Sequence, residues 1–553
     1  MTATPTPPVP PAAATAAARG PIRNTLESFG MAVLMAILLK YFALEAYVIP
    51  TPSMQPTLMG SPKEGESDRI LVDKVYYLMH EPERWDIAVF RYPVRQIQSY
   101  VKRIVGVGGD RLKIAGGNLY NVSADGKTLT ILRKPERLEG TLWREIYPMR
   151  RRLAIHERGG DPWAAPSADE VFGNYWNRVS GKWEIDGEGT WIGTPSGSGK
   201  LITTAQKLGA SNNYSDGYDL TTASLLRKSR AGGRSIEKTD EGHDGVQDLR
   251  LGVALRPDKA PAKVVLAIDI TSLKRTFELV LEGGKGVLVA TDKKSGKVAR
   301  SEPFDLAVPA GSSTEIGLSR LDDRLAAFHR GRCVQRFDVD AFAIHEHLDV
   351  ASVVPRIEIH TDGPCRLASV RIERDLHYIN SGNPEIIEVP AGHFYMMGDN
   401  TLGSADSRDW RAVRIGIDAQ GRIVDPEQHK GDASVRVVWG NKRTKPLESA
   451  DLPHDDDNPV PLRYRDKVVF VDQLGETRGL DAKIDPKQWG RDTNGNGPGG
   501  ATAPFVQFYN PDGKTTWIAH EEPRSFVPRA HIEGRPIARF LRALPFKLTA
   551  WIR

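Results

Sequence analysis

The chain has very little cysteine: 553 residues include only Cys333 and Cys365. Two thiols build neither a disulfide-rich scaffold nor a cysteine zinc site from within the chain. The two cysteines lie in neighbouring β-like segments and could pair across a sheet. The sequence leaves that pairing open, because a disulfide also requires the two Cα atoms to lie within about 7 Å.

Net charge is also low, at +5 for the whole chain. Nucleic-acid binding needs basic residues concentrated on one face, and the balanced composition gives no support for it. What the chain does contain is 52 glycines and 38 prolines with 40% hydrophobic residues. This composition favours a multidomain, loop-rich and mainly β protein.

Long hydrophobic runs are scarce, and the best candidate lies near the N-terminus. Residues 1–25 are rich in Pro, Ala and Thr at their start and are predicted to be a disordered cytoplasmic tail. Residues 26–45 are predicted to be a single transmembrane helix, since about 20 helical residues span roughly 30 Å. Arg19 and Arg23 precede this segment, which by the positive-inside rule keeps the N-terminus cytoplasmic. A cleavable signal peptide is the alternative.

Short strands are predicted from residue 68 onward, with β-branched and aromatic residues bounded by Pro and Gly. Clear apolar alternation recurs in 247–375, which favours an antiparallel β-sandwich of jelly-roll type. Residues 411–523 are polar and loop-rich, and the sequence does not indicate their role.

Two polar residues in apolar or Pro-rich surroundings are candidate catalytic groups. Ser53 lies in "VIPTPSMQPTL" and Lys102 in "SYVKRIVGVGGD". A serine nucleophile needs a base, and no histidine occurs in a G-x-S-x-G type of signature. A lysine can serve if it is neutral, and lowering its pKa from about 10.4 to about 8 costs roughly 3 kcal/mol, which burial can supply.

Three segments in order, "IPTPSMQPTL", "YVKRIVGVGGD" and "GDNTLGSADSR", resemble the bacterial type I signal peptidase family of serine-lysine endopeptidases. The resemblance implies that Ser53 is the nucleophile, Lys102 the general base, and Thr51 with the Ser53 backbone N–H the oxyanion hole. It implies that Ser404 orients the lysine. The resemblance assigns Asp399, Asp406 and Arg408 to bracing, and Tyr47, Ile49, Met54, Leu58, Tyr100 and Val101 to apolar substrate subsites.

The resemblance also implies a divided chain. Residues 46–115, 376–410 and 524–553 would form the catalytic core, interrupted by an inserted domain at 116–375, with a concanavalin or laminin-G-like sandwich at about 247–375, and by a second insertion at 411–523. In the last motif Thr401, Leu402 and Gly403 stand where the family usually has Arg-Asp-Asn. We expect this change to weaken the bracing, or to require a compensating contact, more than to remove activity.

The expected function is membrane-bound removal of signal peptides from exported preproteins, with cleavage after small residues in an Ala-x-Ala pattern and a catalytic domain outside the cytoplasmic membrane. Partners would be signal peptides, the bilayer and a glycan or protein ligand of the inserted sandwich, but no nucleic acid. The resemblance implies no metal or organic cofactor. The alternative is a catalytically impaired, membrane-tethered β-sandwich binding protein.

Overall fold

A computed structural model gives a mainly β protein. It describes residues 21–38, 42–54, 57–58, 60, 67–147, 176–181, 183–185, 191–193, 198–203, 246–339, 355–379, 385–401, 404–420, 423–440, 462–464, 467–480, 483–484, 505–509, 515–541 and 548–551.

The described part of residues 1–142 contains three α-helices and seven strands. These elements are α1 (Pro21–Leu38), β1 (Leu44–Val48), β2 (Asp68–Asp73), α2 (Tyr76–Met79), β3 (Ile87–Tyr92), β4 (Arg95–Val107), β5 (Arg111–Ala115), β6 (Asn118–Val122), β7 (Leu129–Ile131) and α3 (Glu136–Leu142).

Sixteen strands follow in the described part of 144–374. They are β8 (Arg144–Tyr147), β9 (Trp176–Ser180), β10 (Trp183–Ile185), β11 (Trp191–Gly193), β12 (Ser198–Thr203), β13 (Leu249–Pro257), β14 (Lys263–Ile270), β15 (Arg275–Glu282), β16 (Lys285–Asp292), β17 (Val298–Arg300), β18 (Phe304–Asp305), β19 (Thr314–Leu321), β20 (Arg324–His329), β21 (Arg332–Asp338), β22 (Pro355–Asp362) and β23 (Cys365–Arg374).

The remaining described strands lie between residues 387 and 551. They are β24 (Ile387–Glu388), β25 (His393–Met397), β26 (Arg411–Ile417), β27 (Ile423–Val424), β28 (Arg436–Gly440), β29 (Leu462–Tyr464), β30 (Lys467–Val471), β31 (Thr477–Leu480), β32 (Lys483–Ile484), β33 (Phe505–Tyr509), β34 (Thr515–Pro523), β35 (Phe526–Pro528), β36 (Ile532–Leu541) and β37 (Leu548–Trp551).

The N-terminal helix is shorter at its far end than the predicted span of 26–45. Helix α1 begins at Pro21, inside the segment predicted to be a disordered tail, and ends at Leu38. Leu44–Val48 instead forms strand β1, which pairs antiparallel with β2. Pairing with β1 provides hydrogen-bond partners for backbone groups of β2 that would otherwise form an open sheet edge. No helix in the described residues is long and apolar enough to cross a membrane.

One eight-stranded sheet gathers residues from both ends of the chain. Its order is β1-β2-β36-β3-β4-β25-β35, and β37 also pairs with β36. Strand β4 lies between β3 and β25, and β25 in turn pairs with β35. The C-terminal strand β36 fits between β2 and β3, so the beginning, middle and end of the sequence meet here.

A smaller sheet packs against this part and changes the predicted start of the insertion. Strand β5 pairs with β6 and with β24, and β6 pairs with β7. Leu119 and Leu138 are buried in one cluster with Val105 and Met397. The sequence places 116–142 in the insertion, whereas the structure packs the described strands of that stretch onto the sheet that contains β4.

The insertion itself contains two antiparallel sheets that share one apolar core. One has the order β10-β11-β23-β13-β19-β20-β21 and the other β17-β16-β15-β14-β22-β12-β9. Leu251, Ile268 and Leu318 are fully buried in the cluster between them. The alternating burial along β13 follows from the period of two in a strand whose faces differ in exposure.

The sheet order also decides the question of the two cysteines. Cys333 lies in β21 and Cys365 in β23, and three strands, β13, β19 and β20, lie between them. Adjacent strands are about 4.8 Å apart, so four spacings separate the cysteines by roughly 19 Å. They form no disulfide in this structure.

Residues of the predicted second insertion form sheets of their own. Strand β26 pairs with β27, β28 and β34, and β34 continues to β33. Strands β29, β30 and β31 make a separate three-stranded sheet.

Candidate active site

Ser53 lies in a single 3-10 turn, Pro52–Met54, that follows strand β1. The prolines restrict the backbone φ angle, and buried side chains on both sides of the turn fix its position. Ile49, Met54 and Leu58 are 4%, 1% and 0% exposed. The Leu58 N–H donates to the Met54 carbonyl at 2.9 Å. Thr51 Oγ1 lies 3.2 Å from Ser53 Oγ, so the two hydroxyls predicted to act together are adjacent.

Lys102 lies in the interior strand β4, opposite Ala88 of β3. Its side chain is buried, and its Nζ donates a hydrogen bond to Ser404 Oγ at 2.7 Å. The same Nζ lies 3.6 Å from Asp406 Oδ1. The predicted partnership of Lys102 and Ser404, which are 302 residues apart in the chain, is therefore a direct contact in the structure.

The segment after β25 orders the groups around this amine. The Ser404 hydroxyl donates to Asp406 Oδ1, which also accepts from the Gly398 N–H at 2.8 Å. Arg408 Nη2 lies 3.5 Å from Asp406 Oδ2. Burial raises the pKa of the Asp406 carboxyl, an effect that the charges of Lys102 and Arg408 oppose.

Asp399 forms a two-pronged ion pair with Arg103, the residue that follows Lys102. Arg103 Nε and Nη2 donate to the two carboxylate oxygens at 2.8 and 2.7 Å. Thr57 also donates its hydroxyl to Asp399, which ties the serine segment to the same carboxylate. Burial disfavours the Arg103 charge, but the Asp399 carboxylate more than offsets this and raises the arginine pKa. Sequence reasoning missed Arg103, although a second cation in an otherwise apolar strand is a visible signal.

Gly398 is the point where the serine turn and the lysine brace meet. A Cβ atom added there would lie 2.3 Å from the Ser53 carbonyl oxygen and 2.3 Å from Ser404 Oγ. Two residues on, the Asn400 N–H donates to the Ser53 carbonyl at 3.0 Å. The turn Pro52–Met54 also lies against β4. Ser53 and Ser404 thus meet at one glycine, and Lys102 joins them through its hydrogen bond to Ser404. No larger residue fits at Gly398 unless its surroundings move.

The predicted subsite residues divide between two clusters. Tyr47 and Val101 are partly buried against one cluster, which includes Ile49, Met54 and Leu58. Tyr100 is different: it points to the other face of β4 and stacks on Tyr92 with ring centroids 4.3 Å apart. Successive side chains of a strand point to opposite faces, so Tyr100 and Val101 cannot both join one pocket wall at this strand.

Among the described residues, one cluster of three carboxylates has the spacing of a metal site. Asp248, Asp322 and Asp375 are buried with ligand atoms within 4.8 Å of one another. Lys134 Nζ lies 2.8 Å from Asp322 and 2.7 Å from Asp375. The lysine already supplies positive charge between these carboxylates, so the group is an ion-pair network at the border of the insertion.

Sequence comparisons agree with the geometry of this site. Residues 22–139 match the family of signal peptidases, peptidase S26. The chain is 32% identical over 122 residues to signal peptidase I of Leptolyngbya laminosa, covering 21% of this chain and 57% of that protein. It is 36% identical over 110 residues to a probable signal peptidase I of Synechocystis sp., covering 18% and 47%. It is 34% identical over 92 residues to signal peptidase I of Aquifex aeolicus, covering 17% of this chain and 34% of that protein.

Over residues 22–139 the chain is thus similar to the peptidases of family S26. The three relatives are bacterial signal peptidases I, and the similarity covers 17–21% of this chain. The chain spans about half the length, or less, of these curated relatives.

Solved structures add a weaker similarity. A carbohydrate-binding module from Bacillus subtilis is 10% identical, with a TM-score of 0.22, and the match covers 36% of this chain and 96% of that chain. A TM-score of this size supports no conclusion on fold or ligand.

Proposed function

We propose that the chain is a signal peptidase that cleaves preproteins with Ser53 as nucleophile and Lys102 as general base. The observation that carries the proposal is the burial of Lys102, with its Nζ on Ser404, at the same glycine that contacts the Ser53 carbonyl. The similarity of residues 22–139 to the signal peptidases of family S26 supports the same chemistry.

In this mechanism the Ser53 hydroxyl attacks the scissile carbonyl and gives its proton to the neutral Lys102 amine. The resulting ammonium then protonates the leaving amine, and a water molecule activated by the same amine releases the acyl group from Ser53. Ser404 accepts a hydrogen bond from Lys102 Nζ and donates to Asp406, which limits the rotamers that the lysine can adopt.

Charge on the carbonyl oxygen would be stabilised by the Ser53 backbone N–H and the Thr51 hydroxyl. The two residues lie in one proline-restricted turn, and their hydroxyl oxygens are 3.2 Å apart. Donors that are fixed before the reaction stabilise developing charge without reorganising during it.

We infer that the substrates are signal peptides with small residues at the cleavage site, following an Ala-x-Ala pattern. The support is the apolar cluster of Ile49, Met54 and Leu58, which are all buried, with Tyr47 and Val101 packed against it. The proposed anchor is the part of 26–45 that lies in helix α1, which ends at Leu38. Along α1, large apolar side chains such as Phe29, Met31 and Leu34 are exposed.

We further propose that residues 46–115, 376–410 and 524–553 make up the catalytic core, with the described part of 116–142 packed against it. The sheet that contains β4 and β25 also includes β35 and β36 from the C-terminal part, which supports this division. For the insertion we propose a concanavalin-like sandwich, supported by two antiparallel sheets around one apolar core. A glycan or protein ligand of this sandwich remains part of the proposal.

Incubation of the full chain in detergent with a preprotein that carries an Ala-x-Ala sequence tests the function. We expect a new N-terminus directly after the second small residue, identified by mass spectrometry. Below the pKa of the base, the rate should rise about tenfold per pH unit, because only the neutral Lys102 amine accepts the proton. A preprotein that stays intact, or a rate independent of pH between about 6 and 9, would contradict the proposal.

Substitution of Gly398 by alanine tests the convergence of the site. The new Cβ would meet the Ser53 carbonyl and Ser404 Oγ at 2.3 Å, so one of them must move. Since misplacement by about 1 Å costs roughly 100-fold in rate, we expect kcat to fall by that factor. The control is Gly252→Ala on β13, where the added Cβ would meet only the Arg371 side chain, at 3.8 Å or more, which is ordinary contact. Full activity of Gly398→Ala would show that the two segments do not meet during catalysis.

A further inference from the structure

The segment that leaves the insertion contacts residues of the candidate active site. At its start, the Asp375 N–H donates to the Asp248 carbonyl at 3.0 Å, and the Asp375 carboxylate lies 2.7 Å from Lys134 Nζ. Further on, the Tyr378 N–H donates to the Gly117 carbonyl at 3.0 Å. The segment Asp375–Ile379 is therefore fixed on both the insertion side and the core side.

Thr401 connects this segment to the motif that surrounds the lysine. Its side chain is 2% exposed, and its hydroxyl donates to the His377 carbonyl at 2.8 Å. The Thr401 carbonyl in turn accepts from Arg408 Nη2. Arg408 Nη1 donates to the Ile379 carbonyl, so the guanidinium contacts both the segment and Thr401.

Arg408 then reaches the proposed base through two further groups. Its Nη2 lies 3.5 Å from Asp406 Oδ2, and Asp406 accepts from the Ser404 hydroxyl. Ser404 accepts from Lys102 Nζ at 2.7 Å. A continuous series of contacts thus joins the exit of the insertion to the amine. Buried polar groups in such a series hold one another in a single arrangement.

Thr401 occupies one of the three positions at which this chain departs from the motif of the family it resembles. Leu402 and Gly403 lie outside the described residues. The sequence left two expectations for this change, weakened bracing or a compensating contact, and at Thr401 the structure has a contact of the second kind. A neutral hydroxyl bonded to the insertion's exit segment stands where the family usually has an arginine.

We propose that Thr401 is a positioning residue that couples the exit segment Asp375–Ile379 to the orientation of Lys102, acting through Arg408, Asp406 and Ser404. This inference rests on the proposed function of Lys102 as the base. The charged groups near Lys102 include Asp406 at 3.6 Å, with Arg408 behind it. The Arg103–Asp399 pair lies at the next position of β4, whose side chain points to the other face.

Thr401→Val tests the coupling, because valine keeps the shape and lacks the hydroxyl. We expect kcat for preprotein cleavage to fall about tenfold with KM unchanged, since one buried hydrogen bond is lost and the His377 carbonyl is left without that donor. With Thr401 less firmly fixed, Arg408 neutralises less of the Asp406 charge, so the negative potential at Lys102 increases. The acid limb of the pH profile should therefore move up by about half a unit.

Two variants serve as controls. Thr401→Ser keeps the hydroxyl and should restore both kcat and the pH profile to within about twofold of wild type. Thr130→Val makes the same change at an exposed position of β7 and should alter neither. If Thr401→Val has the wild-type kcat and pH profile, or if Thr401→Ser is as impaired as Thr401→Val, the coupling is wrong.

A measurement without substrate separates this inference from the proposed function. Carbamylation by cyanate, followed by peptide mass spectrometry, reports the pH at which the Lys102 amine becomes reactive in each variant. The midpoint should rise in Thr401→Val relative to wild type and return in Thr401→Ser. Equal midpoints would overturn the coupling even in an active enzyme. If the wild-type protein cuts no preprotein but the midpoint still rises in Thr401→Val, only the proposed function is contradicted.

Discussion

Replacement of Lys102 by methionine is expected to lower kcat/KM for preprotein cleavage by about 10⁴-fold. Methionine fills a similar volume but accepts no proton, so the Ser53 hydroxyl would have to attack without a base. Ser53→Ala removes the nucleophile and should cost a similar factor. Residues that act as one unit are not additive, so the double variant should be no slower than either single variant.

Lys102→Arg separates proton transfer from charge at this position. An arginine keeps the positive charge beside Asp406 but is not deprotonated in proteins, so this variant should be as slow as Lys102→Met. Lys113→Met, at a half-exposed position on β5 with its Nζ 2.7 Å from the exposed Glu385, is the matched control and should keep wild-type activity. Substantial activity in Lys102→Arg would show that the lysine contributes charge and not a base.

Lys134→Met is expected to destabilise the junction between the core and the insertion by about 3–5 kcal/mol. Lys134, Asp322 and Asp375 have side chains no more than 3% exposed, with Nζ to oxygen distances of 2.8 and 2.7 Å. The variant leaves two buried carboxylates without this cation. Hydrogen exchange of peptides from β13 and β19 measures the effect, since it reports local opening free energies in a multidomain chain.

The destabilisation should also depend on pH in a defined direction. Burial raises the pKa of the Asp375 carboxyl to about 7, an effect that Lys134 opposes. When folding raises the pKa of a carboxyl, the folded state loses stability as pH rises through the folded-state pKa. Loss of Lys134 raises the Asp375 pKa further. The loss of stability in Lys134→Met should therefore be smaller at about pH 5 than at about pH 8.

Lys285→Met is the matched control for this prediction. Lys285 also forms an ion pair within the insertion, 2.6 Å from Asp305, but the two side chains are 58% and 89% exposed. Exposed pairs contribute about 0–1 kcal/mol, so hydrogen exchange should change little. A Lys134→Met variant as stable as Lys285→Met would show that the buried network does not hold the junction.

The strands that carry the candidate site were predictable because their patterns are local. The prolines around Ser53 and the apolar residues beside Lys102 restrict backbone and burial within a few positions. The end of α1 was not predictable in this way. Leu44 continues an apolar run in the sequence, but pairing with β2, some 25 residues away, places it in a strand.

Arg103 and Tyr100 show the same limit within the site. Arg103, which follows the predicted base, is the partner of Asp399. Tyr100, a predicted subsite residue, lies on the opposite face of β4 from Val101. Strand alternation fixes that residues 100 and 101 point apart, but only the packed sheet defines which face meets the serine turn.

The sequence by itself determined the residue types of the site, the mainly β class and the order of the three motifs, because these are properties of short segments. The tertiary structure decided how they meet. It placed Lys102 on Ser404 across 302 residues, set Gly398 between the serine turn and the lysine brace, and bonded Thr401 to the exit of the insertion. Such contacts depend on sheet order and on the burial of charges far apart in the chain, and no local pattern records them.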